Sequence, residues 1–227
     1  MLEAIRGKLI VSCQALPHEP LHSSFIMGRM AFAAQQGGAG GIRAQGVEDI
    51  LEIQRTVSLP IIGIVKRDYP DSEIYITPTK KEADALLQTH CEMIALDATA
   101  RNRPHGETLA ELSAYLKARG ACLMADISTY EEGIAAQQLG FDCVSTTLCG
   151  YTKESRDLPG PDFALIRALA QDLQIPLIAE GKIHTPQELK AVLEAGAYAA
   201  VVGGAITRPQ EITARFTREI RSIEGNL

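Results

Sequence analysis

The chain has 227 residues, enough for one large domain or two small ones; 46% are hydrophobic and 22% charged, the proportions of a soluble globular protein. Lys and Arg number 22 against 28 Asp and Glu, a net charge of −6 without a long basic run, which argues against nucleic acid as a partner because phosphate neutralisation needs clustered cations. The five cysteines (Cys13, Cys91, Cys122, Cys143, Cys149) form no CxxC and no Cys/His cluster, so they read as reduced thiols of a cytoplasmic protein with no zinc site.

The first stretch, MLEAIRGKLIVSC, carries an acid near its start and only a short apolar run, so it reads as neither a signal peptide nor a membrane span. It leads into the first of eight short apolar runs. These are KLIVSCQ (8–14), AGGIRAQ (39–45), PIIGIVK (60–66), MIALDAT (93–99), CLMADIS (122–128), CVSTTLC (143–149), PLIAEGK (176–182) and AAVVGGA (199–205). They begin roughly every 27 residues, about one strand–helix unit. Continuous rather than alternating apolar runs fit strands of a parallel sheet covered by helices.

Between the runs the pattern is helical. ETLAELSAYLKARG sets Leu109, Leu112 and Leu116 on one stripe and ends at Gly120 as a cap. Three helix starts carry the capping-box spacing: Thr79 with Glu82, Ser128 with Glu131, and Thr185 with Glu188, the last with Pro186 in the first helical position. No linker or low-complexity segment interrupts the series. Eight strand–helix units in one domain, 1–227, predict a (β/α)8 TIM barrel of the α/β class. The rival, a doubly wound open sheet, normally places a Gly-rich turn after its first strand, and here that strand runs into QALPHEPLHSS.

In such a barrel the active site lies at the carboxyl ends of the strands. The polar residues closing the runs are Gln14, Arg43, Lys66, Asp97, Asp126, Thr146 or Thr147, and Glu180, followed by Gly203–Gly204 after the eighth. Seven of eight ends can hydrogen-bond or carry charge, and the ring directs them to one pocket. Gly181, Gly203 and Gly204 let backbone amides approach an anion after strands seven and eight, the usual phosphate position in this fold. Arg208, one turn on, is placed to clamp it. These residues predict a small phosphorylated substrate. The five histidines read as surface or capping residues.

A lysine has an ordinary pKa near ~10.4, so about one in 2,500 is neutral at pH 7. Burial lowers that value, and Glu180 and the aspartates oppose the change. Two chemistries suit Lys66: a Schiff base with a sugar carbonyl, as in an aldolase, or proton transfer at a carbon beside a carbonyl. A catalytically silent barrel that senses a sugar phosphate is a third reading. Strand three lies opposite strand seven in a ring of eight, so Lys66 and Glu180 face each other, as inversion at one carbon requires.

The runs KLIVSCQ, GGIRAQG, PIIGIVKRDY, ITPT, IALDATARNRP, MADIST, STTLCGYT, LIAEGKIHTP and VVGGAITRP, in this order and spacing, resemble the bacterial N-acetylmannosamine-6-phosphate 2-epimerases over nearly the whole chain. The resemblance implies conversion of N-acetylmannosamine 6-phosphate to N-acetylglucosamine 6-phosphate in sialic acid and amino-sugar breakdown, with no metal or nucleotide cofactor. It makes Lys66 the proton-transfer residue at C2 and Glu180 its acidic partner. Gln14, Arg43 and Asp126 become sugar-binding residues; Arg208, with the backbones of Gly181–Lys182 and Gly203–Gly204, goes to the phosphate. A homodimer is expected on the same ground.

Overall fold

A computed structural model describes residues 1–224; the last three residues of the expected 1–227 domain lie outside the described residues. After a short helix α1 (Leu2–Ile5), the chain alternates β1 (Leu9–Cys13), α2 (Ser24–Gln36), β2 (Gly41–Gln45), α3 (Val47–Thr56), β3 (Ile61–Ile64), α4 (Lys80–Leu87) and β4 (Met93–Asp97). It continues through α5 (Leu109–Lys117), β5 (Leu123–Asp126), α6 (Tyr130–Gln138), β6 (Cys143–Ser145), α7 (Phe163–Asp172), β7 (Leu177–Glu180), α8 (Pro186–Glu194) and β8 (Ala199–Val202). Two helices finish it, α9 (Gly204–Thr207) and α10 (Pro209–Glu224). The strands close in chain order into a parallel barrel, β1 pairing with both β2 and β8. Carried once round the ring, the registers return to the first strand eight residues from the start, the shear of an eight-stranded TIM barrel.

The strands read as continuous apolar runs because both faces are buried. Outward residues such as Ile42, Leu96, Val144 and Ala200 pack against the helices, which contribute Ile50 and Ile53 from α3 and Leu112 and Leu116 from α5. All four of those helix residues are fully buried, each contributing about 1.5–3 kcal/mol relative to exposure. Inward residues Ile10, Ile62, Met93, Met124, Cys143, Ile178, Ala199 and Val201 fill the lower barrel, and Ile5 of α1 joins them from the amino-terminal end. Above this apolar layer the same inward parity delivers Ser12, Arg43, Asp126 and Glu180. The sequence thus changes from apolar to polar along each strand at about one height.

The helix starts follow the expected chemistry with two differences. Thr185–Glu188 is a complete capping box with Pro186 leading, and Thr108–Glu111 is another that sequence reading passed over. The box before α6 is Thr129–Glu132, one residue on from the expected Ser128–Glu131, because Glu132 turns back to accept from Ser128 and Thr129. At α4, Thr79 accepts from Lys81, but Glu82 is drawn away to the loop after β3. Several strands end earlier than the runs they come from, β6 and β8 among them. β6 stops at Ser145 and turns, and β8 stops at Val202, so that Gly204 and Ala205 begin α9.

Candidate active site

Lys66 lies two residues beyond the last residue of β3, not at its end. The chain there folds back as a small hairpin. Lys66 bridges antiparallel to Ile76, Arg67 N donates to Tyr75 O at 2.9 Å, and Thr77 N to Val65 O at 2.8 Å. A buried carboxylate pins this hairpin from outside: Glu82 pairs with Arg67 at 2.8 Å and accepts from Tyr69 Oη at 3.2 Å and Thr79 Oγ1 at 2.5 Å. Arg67 therefore points away from the cavity and orders the loop that carries Lys66. Lys66 keeps the inward parity of Ile62 and Ile64, so its amine enters the barrel mouth, and its backbone N–H donates to Gln45 Oε1 at 3.4 Å.

The cavity at the carboxyl ends of the strands has a volume of about 280 Å³. Lys66 and Glu180 both line it, from strands four places apart in the ring of eight. Among the described residues the Lys66 amine makes no hydrogen bond or ion pair. Burial, then the charges of Arg43 and Arg208, lower its pKa to about 8, against the opposing pull of Glu180 and Glu19. Glu180 moves the other way. Burial and then the charge of Asp126 raise its pKa above the ordinary carboxylate value, although Arg43, the Thr147 hydroxyl and Lys66 favour the anion. Lys66 and Glu180 thus line one cavity with their proton affinities brought together.

Arg43 was expected at a strand end. It sits instead in the middle of β2, almost fully buried, because β2 runs on to Gln45. Its Nη1 and Nη2 hold Asp126 at 3.0 and 2.5 Å, and Nη1 also reaches Glu180 Oε2 at 2.7 Å. Burial opposes the guanidinium charge, but Asp126 and Glu180 outweigh it and the pKa is raised. Asp126 has no exposed surface, and Thr147 Oγ1 lies 2.6 Å from its Oδ1. Asp126 therefore meets the cavity only through Arg43 and Thr147. Of the pair Thr146 and Thr147, it is Thr147 that lines the cavity, 3.1 Å from Glu180 Oε2, whereas Thr146 Oγ1 bonds to the Glu180 backbone. Glu180 Oε1 takes no hydrogen bond among the described residues and is open to the cavity.

Asp97, another polar strand end, turns into its own loop, accepting from Thr99 and pairing with Arg101 at 2.7 Å. Gln14 lines the cavity and donates to Ser12 Oγ at 2.8 Å. Gly181, Lys182, Gly203 and Gly204 form the wall after β7 and β8. Gly181 and Lys182 both have positive φ, 99° and 54°, so the chain turns sharply there and presents backbone to the cavity. The Lys182 ammonium leaves the cavity to meet Asp157 and the Leu158 carbonyl. Arg208 lies on the same side, its Nε 2.7 Å from Glu19 Oε1.

Sequence reading missed Ser12, Tyr75, Tyr151 and Glu211, all of which line the cavity. Ser12 was legible from parity, two residues before Gln14. Tyr75 was not, because it arrives on the return arm of a hairpin that no strand pattern announces. His184 also lines the cavity, its backbone N–H bound to Glu188.

A family model described as "Putative N-acetylmannosamine-6-phosphate epimerase" matches residues 27–222. The chain belongs to that family. A relative from Clostridioides difficile (strain 630), named "Putative N-acetylmannosamine-6-phosphate 2-epimerase", is 64% identical over 97% of this chain and 99% of its own. One of the same name from Oceanobacillus iheyensis is 58% identical over 95% of this chain and 99% of its own. The solved structure of the N-acetylmannosamine-6-phosphate 2-epimerase from Clostridium perfringens superposes with a TM-score of 0.95 at 64% identity, covering 96% of this chain and 95% of that one. Thiamine phosphate pyrophosphorylase from Pyrococcus furiosus, with a TM-score of 0.61 and 18% identity, shares the barrel alone.

Proposed function

We propose that the protein inverts C2 of N-acetylmannosamine 6-phosphate to give N-acetylglucosamine 6-phosphate, a step in sialic acid and amino-sugar breakdown, by proton transfer between Lys66 and Glu180. The observation that carries this reading is the pair itself. The two groups approach one small cavity from opposed strands, one with its pKa lowered and the other with it raised.

The C2 hydrogen becomes acidic only when the sugar ring opens to the aldehyde. Neutral Lys66 then takes the proton, and the C2–H electron pair moves into a C1–C2 double bond with negative charge on the C1 oxygen. Protonated Glu180 returns a proton to the other face, and the centre is inverted. The enolate needs donors at the wall, and cationic Arg43 and the Gln14 amide supply them. Asp126 supports this indirectly by fixing Arg43. The phosphate is assigned to the backbones of Gly181–Lys182 and Gly203–Gly204 with Arg208 beside them, which sets C2 a fixed distance from its anchor.

An NMR time course of N-acetylmannosamine 6-phosphate tests the reading, with no turnover expected from a folded Lys66→Ala protein. Run in deuterated water, transfer by two separate groups labels mainly product in the first turnovers, and one group returning its own proton labels little. Borohydride added with substrate leaves Lys66 unmodified on this reading and traps it covalently if the enzyme is a Schiff-base aldolase.

A homodimer and a cytoplasmic location complete the proposal. Support for the dimer is the outer face of α10, where Phe216 and Ile220 are 73% and 59% exposed one turn apart. Sedimentation equilibrium decides it. For the location, the five cysteines are free thiols, and cell fractionation is the check.

A further inference from the structure

The elements assigned above to the phosphate, the Gly204 backbone and Arg208, are already bridged by an anion of the protein's own. Glu211, in the first turn of α10, lays its carboxylate so close over Gly204 that a side-chain carbon there would meet it and push it aside. Its Oε1 lies 3.5 Å from Arg208 Nη1. The other edge of Arg208 is not free to move. Glu19 takes Nε at 2.7 Å and Nη2 at 3.4 Å, and is itself held by Leu16 N at 2.6 Å and Gln210 Nε2 at 3.2 Å. Arg208 therefore presents one corner, Nη1, towards Gly204, and Glu211 stands at that corner.

We propose that Glu211 is an internal competitor for the phosphate position, seated between Gly204 and Arg208 when the position is empty and displaced when a phosphomonoester binds. The inference rests on the phosphate assignment above. A phosphomonoester carries about −1.5 to −2 charge at neutral pH and three acceptor oxygens, against one charge and two oxygens for the carboxylate, so it wins the shared partners. Displacement costs little, because Glu211 is about half exposed and its ion pair is of the weak surface kind. The carboxylate returns as product leaves, so the position alternates between two anions and Arg208 keeps a counter-charge throughout.

The test is competitive inhibition by inorganic phosphate, with calorimetric binding of the same ion, in Glu211→Gln, Glu211→Ala and Arg208→Ala proteins. Both Glu211 variants are expected to bind phosphate and the sugar phosphate about three- to tenfold more tightly, with binding of non-phosphorylated N-acetylmannosamine unchanged. Unchanged or weaker phosphate binding in Glu211→Ala overturns the inference, as does a gain confined to Glu211→Gln, which would come from the new amide donor. Tighter binding of the neutral sugar also overturns it, since the effect would not lie at the phosphate. Arg208→Ala separates the two levels. If it weakens phosphate while Glu211→Ala does not strengthen it, the competitor alone fails. If Arg208→Ala leaves phosphate binding intact, the phosphate assignment fails and takes the competitor with it.

Discussion

Arg43 Nη1, from the middle of β2, donates to Glu180 Oε2 at the end of β7 across 2.7 Å of barrel interior. The same guanidinium holds both oxygens of Asp126, so one buried cation serves two buried carboxylates. Its Nε is the one buried side-chain nitrogen or oxygen without a partner among the described residues. The arrangement leaves Glu180 one committed oxygen and one open to the cavity, so its carboxyl is held in one orientation.

Removing Arg43 leaves Asp126 and Glu180 buried and facing each other without a cation. Arg43→Met is expected to lose about 3–5 kcal/mol of stability, measured by urea unfolding, and to be inactive. Asp126→Asn in the same background should recover part of that loss, because it removes one of the two stranded charges.

Asp126 touches the cavity only through its partners, so Asp126→Asn is expected to lower kcat while changing the KM for the sugar phosphate less than twofold or so. A KM raised in proportion to the loss of kcat/KM would show direct sugar binding instead. The kcat loss should be about ten- to a hundredfold, the effect of a misplaced Arg43 on the enolate.

On the proposed mechanism Lys66 is a base only when neutral, and its pKa is lowered to about 8. The kcat/KM profile is therefore expected to be bell-shaped, falling at acid pH as the Lys66–Glu180 pair takes up a second proton and at alkaline pH as it loses its one proton, with the alkaline limb near 8 rather than near the ordinary lysine value. The same shift governs stability. The unfolded chain keeps the ordinary value of 10.5, so below pH 8 it holds the proton more tightly than the native state and the native state is penalised. Lys66→Met should raise stability at pH 7 by about 1–3 kcal/mol. That gain should shrink between pH 8 and 10.5 and vanish above, as urea midpoints at pH 7 and 9.5 will register.

Glu82 lies outside the cavity yet holds the hairpin that carries Lys66, through Arg67, Tyr69 and Thr79. Glu82→Gln is expected to cost about 1–3 kcal/mol, since the carboxylate is buried and the ion pair is lost. It should also lower kcat and move the pH midpoint set by Lys66, which loss of stability alone would not do. Arg67→Ala, removing the more exposed partner, should show a weaker version of both effects.

Much of this protein was legible in its amino-acid order. Doubly buried strands must be continuously apolar, and helices between them must carry one apolar stripe, so eight repeats of that alternation, with no Gly-rich turn after the first strand, point to the closed parallel barrel that the strand pairing then shows. The change from apolar to polar along each run marked the cavity end, and ring position alone set Lys66 against Glu180. What order could not decide was depth and direction. Arg43 and Gln45 share a face of β2, and only the barrel's shear puts the arginine at the height of Asp126 and Glu180. Asp97 and Asp126 look alike as strand ends, but Arg101 draws one into its own loop while Arg43 draws the other inward. The hairpin that brings Tyr75 over the mouth depends on Glu82, sixteen residues beyond Lys66, and Glu211 reaches Gly204 from the first turn of the helix that follows α9. The Arg43 contacts join segments far apart in the chain, and the shorter-range ones depend on turns that no strand or helix pattern announces. Their energies come from burial and charge in the closed structure, and so only the tertiary structure decides them.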